Sequence, residues 1–473
     1  MKSIGNIITR TKDKKSLIGS AVTHSYRKRL HSVIPGGAHT YSRGDDQFPS
    51  NAPSILESGK GCKVYCPEGK EYLDFGMGLR SISIGYAEHQ INSAVIAAIE
   101  KGNNLTRAST IELEAAETLV SLIESADMVK FCKNGSNATT AAIKLARAYT
   151  GKSMIARCKD DPFLSFDDWF IGSTVIKRGV LESTIGQTKY FKYNDIDSLK
   201  SLLENFPDKF ACVIMEPASF ECPSTQQKLA CCENSPCNRF PNKHTNFLKQ
   251  VETICKQNNI VFILDETITG FRWNMGGAQK LYGVRPDLST FGKSMANGFS
   301  VAALAGRREL MQLGGIEITG MQRTFLLSST HGAEMAGLAA FLATQKFMIE
   351  NNVVQSLWNT GYQIKNILSN AISDNKLEEL VSVSGPAVSP IIQFFDVDGS
   401  ACMKLKTLFA QEMLKRGILI PWISICYRHE SIDLHHFKNV VDSALSVCKK
   451  AIEDDIANFL QGDAAKPVFR EYN

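Results

Sequence analysis

A chain of 473 residues that is 44% hydrophobic and 21% charged has the composition of a globular protein, with room for two or three domains around a large core. Its net charge of +5 is mild for this length, and no Lys/Arg cluster suggests a nucleic-acid groove. No apolar run reaches the roughly 18 residues of a membrane span, and the opening "MKSIGNIITRTKDKK" lacks an apolar signal core, so a cytoplasmic protein without nucleic-acid or membrane partners is expected.

Residues 1 to about 30 read as a basic, polar arm with weak helical periodicity. "PGGAHTYSRGDDQFPSNAP" is turn-rich and irregular, and "GCKVYCPEGKEYLDFGMGL" reads as two short strands around the turn "PEGK". Residues 90–101 and 111–124 carry helical periodicity. An alternating pattern follows: the strand "MVKFC", a helix from "NATTAAIKLARAYTG" closing on Gly151, and the strands "SMIARC" and "FACVIMEP". The helix "HTNFLKQVETICKQNN" then leads to the apolar strand "IVFILDE" and to the short strands "LSTFG" and "VAALAG". Strands apolar on both faces, separated by helices, predict an α/β protein with a mainly parallel sheet covered on both sides. Beyond about 335, the long helix "AEMAGLAAFLATQKFMIENN", the segment "LVSVSGPAVSPIIQFFDV" and helices near 403–416 and 432–459 predict a smaller α+β domain. The division expected is 1–84 for an arm and small-domain segment, 85–345 for the large domain and 346–473 for the C-terminal small domain.

Of the 13 cysteines, Cys212, Cys255 and Cys448 stand singly in apolar contexts and read as reduced core residues. Cys222, Cys231, Cys232 and Cys237 crowd into one polar insertion at about 221–240. Four thiols are enough for zinc or an iron–sulfur cluster, but the spacing is not the paired C-x2-C of a ribbon site. A surface insertion without metal is the expectation.

Three features carry chemistry, and ligands of such sheets bind beyond the carboxyl ends of the strands. Asp265 in "VFILDETITGFRW" closes a predicted central strand, where a carboxylate is costly unless paired with a cation. It is either a structural cap or ion-pair partner, or the partner of a protonated ring nitrogen. Asn134, Gly135 and Ser136 in "KNGSNATTAAIKLARAYTG" precede a helix; they form either an ordinary turn and cap or an anion cradle suited to phosphate. Lys293 in "DLSTFGKSMANGFSVAALAG" lies between two predicted core strands. A loop lysine is usually a solvated charge, but one buried beside a carbonyl cofactor has a lowered pKa and forms a Schiff base. A ring-nitrogen partner, a phosphate cradle and such a lysine are the minimal set for pyridoxal 5'-phosphate. In that reading Asp265 holds the ring proton, and Lys293, once displaced by substrate, moves the Cα proton.

On "FILDETITGFRW", "STFGKSMANGFSVAALAGRREL", "VIMEP" and "KNGSNATTAAIKLARAYTGK", the chain resembles class III, fold-type I pyridoxal-phosphate-dependent aminotransferases. The branch it is most similar to contains glutamate-1-semialdehyde 2,1-aminomutase, and the likeness covers roughly residues 30 to 450. The resemblance implies a homodimer with active sites shared across the interface. It also implies that Glu216 of "VIMEP" belongs to the cofactor site and that a second subunit's Thr330, in "SSTHGAE", completes the phosphate cradle, with Ser329 as the alternative. The chain departs from the family in three places. Where an aromatic-His-Gly stretch is usual it has "DDPFLSFDDWF", in which Phe163 is the candidate π-face; the phosphate loop reads Asn134-Gly135-Ser136-Asn137 in place of Ser-Gly-Thr-Glu; and the aminomutase's Gly-Thr-Leu-Ser-Gly-Asn-Pro stretch is missing.

These departures favour a relative with another substrate. Arg43 in "PGGAHTYSRGDDQ" falls where the aminomutase carries a carboxylate-binding arginine; it is otherwise a surface residue beside Asp45 and Asp46. Arg80 in "MGLRS" and Arg107 in "NLTRAS" lie in segments that border the pocket in relatives, and either binds a second anion or pairs with acids. His39, Tyr41 and His331 are lesser candidates. The function expected is transfer of an amino group from a small-molecule donor to a keto or aldehyde acceptor. Likeness of "GAHTYSRGDDQFP" and "PFLSFDDWFIG" to a subgroup associated with surface-polysaccharide pathways suggests a sugar-related acceptor. An intramolecular aminomutase is the alternative.

Overall fold

The structure, a computed structural model, describes residues 19–218, 221–224 and 246–473. Helix α1 spans Gly19–Val33, and single helical turns carry the chain through 35–47. Strands β1 (Ser58–Lys60), β2 (Lys63–Tyr65) and β3 (Glu71–Asp74) precede helices α2 (His89–Ile99) and α3 (Thr110–Leu122). Strand β4 (Met128–Cys132) leads into α4 (Gly135–Thr150). That helix begins where the Asn134 side chain accepts the Asn137 N–H at 2.9 Å and stops at Gly151, whose φ of 69° supplies the left-handed residue after its last turn. Then come β5 (Met154–Cys158), β6 (Thr188–Phe191), α5 (Ile196–Asn205), β7 (Phe210–Met215), α6 (Phe247–Gln257), β8 (Val261–Glu266), β9 (Leu288–Phe291) and β10 (Ala302–Gly306). The chain ends with α7 (Met335–Glu350), α8 (Val353–Asp374), β11 (Val381–Ser384), β12 (Ile391–Phe394), α9 (Met403–Lys415), β13 (Ile418–Leu419) and α10 (Leu434–Glu453).

A seven-stranded sheet in the order β4-β10-β9-β8-β7-β5-β6 forms the centre. Strands β6, β5, β7, β8 and β9 are mutually parallel, whereas β10 runs against both β9 and β4. Every residue of β7, β8, β9 and β10 is buried, as their apolar character on both faces requires. Small residues Ala138, Ala141 and Ala142 let α4 lie close on Ile155, Ile214 and Ile263 of one face. A second sheet, β1-β2-β3-β13, joins residues from the two ends of the chain, with β13 parallel to β3. The hairpin β11-β12 stands apart.

Five elements went unforeseen: β1 and β13, only three and two residues long, together with β6, α5 and α8. β6 is a four-residue edge strand, "TKYF", too short for a periodic signal, and α5 follows it after only a brief turn. Helix α8 contains Gly361 and three asparagines, which lower intrinsic helix propensity; its buried Leu357, Trp358, Ile364 and Leu368 hold it by packing. Among the described residues no helix is long and apolar enough to cross a membrane. Cys231, Cys232 and Cys237 lie outside the described residues.

Gly361 brings α8 against the 387–388 backbone, and a β-carbon there would overlap the Ala387 carbonyl. Gly361→Ala is expected to destabilise the protein by about 2 kcal/mol or more, read as a lower denaturation midpoint, whereas Gly69→Ala meets no atom and is limited to its positive-φ strain.

Candidate active site

The parallel strands deliver chemistry to one edge. Lys293 lies two residues beyond β9, Asp265 is the penultimate residue of β8, Glu216 follows β7, and Asp161 comes three residues after β5. Because β10 opposes both β9 and β4, β4 points the same way and places Asn134 at that edge too. This is the crevice where open α/β sheets bind ligands.

Lys293 adopts φ 42° at the start of a single 3₁₀ turn, Lys293–Ala296. A left-handed non-glycine residue costs about 1–2 kcal/mol, and the surroundings hold it. Ser294 Oγ donates to the Gly270 carbonyl (2.9 Å), and Gln345 Nε2 donates to that of Met295 (2.8 Å). Asn297, buried at the end of the turn, accepts the Ile84 N–H (2.9 Å) and donates to the Gly85 carbonyl (2.9 Å). Burial, followed by the positive charge of Arg80, pulls the Lys293 amine down to about 8; Glu216 and Asp265 oppose that shift without overcoming it.

Asp265 is 3% exposed. Its Oδ1 accepts the Thr267 N–H (2.9 Å) and the Thr290 hydroxyl (2.9 Å), yet burial raises its pKa above the ordinary carboxylate value. Burial and then the neighbouring Asp265 push Glu216 up to about 7. Asp161, whose Oδ2 accepts the Glu216 N–H at 3.0 Å, is driven well above its usual value by burial and by Glu216. Three buried carboxyl groups within one another's fields hinder one another's ionisation, which favours retention of protons in the crevice. Asp161 had not been singled out from the sequence. Its signal was a charged pair, Asp160-Asp161, directly after an apolar strand, which also describes an ordinary solvated loop.

At the start of α4, no hydrogen bond engages the Gly135 or Ser136 N–H among the described residues. A β-carbon on Gly135 would meet the Thr267 side chain at 2.9 Å, so the backbone there is bare by necessity. The Ser136 hydroxyl accepts the Phe166 N–H (3.1 Å), and the Asn134 side chain is engaged in its cap. Phe163 is 45% exposed and packs edge-on against Phe170. Thr330, Ser329, His331 and Arg107 are exposed, as are His39, Tyr41 and Arg43. Arg43 lines a cavity of about 610 Å³ with His39, Asp45, Leu79 and Trp422; Lys293, Glu216 and Asp265 do not line it.

Arg80 belongs with the lysine instead. Met77, Gly78, Leu79 and Arg80 take φ values of 42°, 56°, 63° and 65°, a complete left-handed turn with three non-glycine residues. Asp74 fixes its entrance, accepting the Gly76 N–H (2.7 Å), the Met77 N–H (3.0 Å) and the Tyr86 hydroxyl (2.7 Å). Trp422 Nε1 donates to the Gly76 carbonyl (3.0 Å), and the buried Arg272 donates to the carbonyls of Arg80 (3.1 Å) and Ile425 (2.6 Å). The turn directs the Arg80 guanidinium into the fields of Lys293 and Glu216, where its Nε is buried without a hydrogen-bond partner.

These groups suit pyridoxal phosphate: a half-buried amine that is readily neutral, a buried carboxyl near it, and open N–H donors at a helix start. The family model described as Aminotransferase class-III matches residues 47–221 and 240–420. A 3-aminobutyryl-CoA aminotransferase of Cloacimonas acidaminovorans is 31% identical over 424 residues, 89% of this chain and 95% of that protein. A glutamate-1-semialdehyde 2,1-aminomutase of Thermosipho melanesiensis is 28% identical, covering 91% of this chain and all of that protein. Among solved structures, the PLP form of the FumI protein of Sphingopyxis sp. MTA144 matches with a TM-score of 0.78 at 23% identity, over 91% of this chain and 97% of that one. An omega-transaminase from Sphaerobacter thermophilus matches at 0.75 and 22% identity, over 93% and 99%. The structural likenesses establish the fold-type I architecture.

In cofactor-free protein, reductive alkylation of Lys293, followed by mass spectrometry, should rise with a midpoint near pH 8, against about 10.4 for solvated lysines. Asp265→Asn removes a charge that raises the amine's pKa, so the midpoint should move lower.

Proposed function

We propose that this chain, which belongs to the class-III aminotransferase family, is a pyridoxal-phosphate-dependent transaminase that takes an amino group from a small amino-acid donor and passes it to a keto or aldehyde acceptor. The observation that carries the reading is the half-buried Lys293 amine, readily neutral and within the field of Asp265 at the carboxyl edge of the sheet. When bound, pyridoxal phosphate supplies an aldehyde that captures amines and a ring that takes up the electron pair released at the substrate Cα.

The chain's residues supply the rest. Lys293 Nζ attaches the cofactor, and once exchanged for substrate it carries the proton to and from Cα. Asp265 holds a proton at the ring nitrogen; a buried carboxyl with a raised pKa is ready to share one. The N–H groups of Gly135 and Ser136, with Asn134 setting the helix start, bind the phosphate. Glu216, in the field of Lys293, would hold a proton beside the cofactor, and Phe163 would supply it an apolar face. The exposed Thr330, with Ser329 beside it, completes the phosphate cradle of a second copy in a cytoplasmic homodimer. The exposed Arg107 is a second candidate for substrate anions, whereas Arg43 lines the cavity shared with His39 and Trp422, which Lys293 does not line. A sugar-related acceptor from surface-polysaccharide synthesis accords with the "GAHTYSRGDDQFP" segment.

An intramolecular aminomutase is the second reading, supported by the aminomutases among the relatives. A donor screen followed by cofactor absorbance separates the two. The transaminase converts its cofactor with a free amino acid and consumes that donor stoichiometrically, whereas the aminomutase turns over one substrate with no donor. An absence of amine-dependent spectral change overturns both.

Lys293→Ala should remove the cofactor's covalent absorbance band and all turnover. Asp265→Asn should retain cofactor while losing about 100-fold or more in rate, measured as single-turnover conversion with an excess of donor.

A further inference from the structure

We propose that Arg80 is the carboxylate anchor of this site, a specificity-determining residue that selects substrates carrying a carboxylate beside the reacting carbon. This rests on the transaminase reading above and adds what the pocket recognises. Four observations carry it.

First, the cation has no anion of its own. Among the described residues no ion pair involves Arg80, its guanidinium makes no hydrogen bond, and its Nε is buried and unpartnered. A guanidinium placed in such surroundings without a carboxylate is unfavourable unless something else completes the pair. Second, the Arg80 residue is half-buried, not fully enclosed, so a ligand has access to it. Third, the backbone that presents it is held against its preference. Four successive left-handed residues are clamped by Asp74 at one end and by Arg272 on the Arg80 carbonyl at the other. Strain of this kind persists where the surrounding structure over-determines it, and such sites cluster at ligand clamps. Arg272 is thereby a positioning residue: its two terminal nitrogens donate to backbone carbonyls and orient the turn, while its Nε, like that of Arg80, is buried without a partner. Fourth, the charge of Arg80 is felt by both Lys293 and Glu216, so an anion seated on it lies beside the place where the amine reacts.

The planar fork of arginine suits a carboxylate, which it binds through two parallel N–H···O bonds. Arg43 does not share this environment, because it is exposed on a 3₁₀ turn and opens into the separate cavity beside Leu79 and Trp422. The alternative role for Arg80, neutralising Glu216, would call for contact between the two side chains; no such ion pair is present, and Glu216 lies above its ordinary value despite the nearby cation.

The test uses the holoenzyme and a matched pair of donors: alanine, and isopropylamine, in which a methyl replaces the carboxylate. Single-turnover conversion of the cofactor is followed in wild type, Arg80→Gln and Arg80→Lys. Arg80→Gln should lower the second-order rate constant for alanine about 100-fold, mainly by weakening saturation. The reaction of isopropylamine reports on the Lys293 amine that Arg80 also depresses, so it too will shift, but the ratio of the alanine to the isopropylamine rate constant should fall about 10-fold or more, and Arg80→Lys should recover part of that ratio. A second readout needs no turnover: calorimetric titration of acetate into cofactor-free protein should show binding in wild type that is lost in Arg80→Gln. A third is inhibition: acetate should compete with alanine in wild type and lose that effect in Arg80→Gln. An unchanged alanine rate in Arg80→Gln, or acetate binding that survives it, overturns the anchor while leaving the transaminase standing. A wild type that converts its cofactor with neither amine nor any amino acid overturns the transaminase and the anchor together.

Discussion

The structure depends on ionisable groups held out of bulk water at the edge of an apolar sheet. β7, β8, β9 and β10 are buried throughout, and their ends bring Glu216, Asp265 and Lys293 into one low-dielectric crevice, with Asp161 added from beyond β5. In water such groups keep their ordinary protonation states. Here burial raises every acid and lowers the amine, while opposite charges oppose each shift only in part. An amine that is readily neutral beside carboxyl groups that readily hold protons is the condition under which amine exchange and proton transfer proceed near neutral pH. Arg80 strengthens this condition, since its charge is the second cause, after burial, of the depressed lysine.

The backbone around the crevice is correspondingly constrained. Lys293 and the Met77–Arg80 turn both adopt left-handed geometry, and both are pinned by side chains distant in sequence. Asn297 ties the lysine loop to residues 83–85, and Ser83 Oγ donates to the Ser294 carbonyl at 3.2 Å, so the two strained segments belong to one hydrogen-bonded unit. Arg272 reaches from the segment after β8 to the same unit. Strain in one part is thus offset by packing and hydrogen bonds in the rest, and the crevice has little freedom to rearrange. Helix α4 contributes similarly. Its alanines set its distance from the sheet, while the absence of a side chain at Gly135 leaves its first N–H groups uncovered.

Much of this was legible in the chain. Alternation of apolar runs with helical periodicity identified β4, α4, β5, β7, α6, β8, β9 and β10 in order, because each carries its own hydrophobic signal. Asp265 and Lys293 stood out because a charge at the end of a wholly apolar segment is costly and therefore informative. Asp161 and Arg80 carried no comparable mark. Asp161 sits in a polar stretch whose burial is invisible locally, and the unusual backbone of "GMGLR" is held not only by nearby Asp74 but by Arg272 and Trp422, 190 or more residues away. Helix α8 was hidden for a related reason: its Gly361 and asparagines weaken local propensity, and its stability comes from the core it covers.

The sequence by itself determined the layered α/β architecture, the succession of strands whose ends carry chemistry, and the lysine and aspartate pair at its centre, since these follow from hydrophobic period and from the cost of burying charge. Tertiary structure alone decided which ionisable groups share one crevice, how far each is moved from its solution behaviour, and which arginine faces the lysine. Those outcomes depend on distances between segments remote along the chain, and electrostatic energy in a low-dielectric site depends on distance in space, which no local run of residues records.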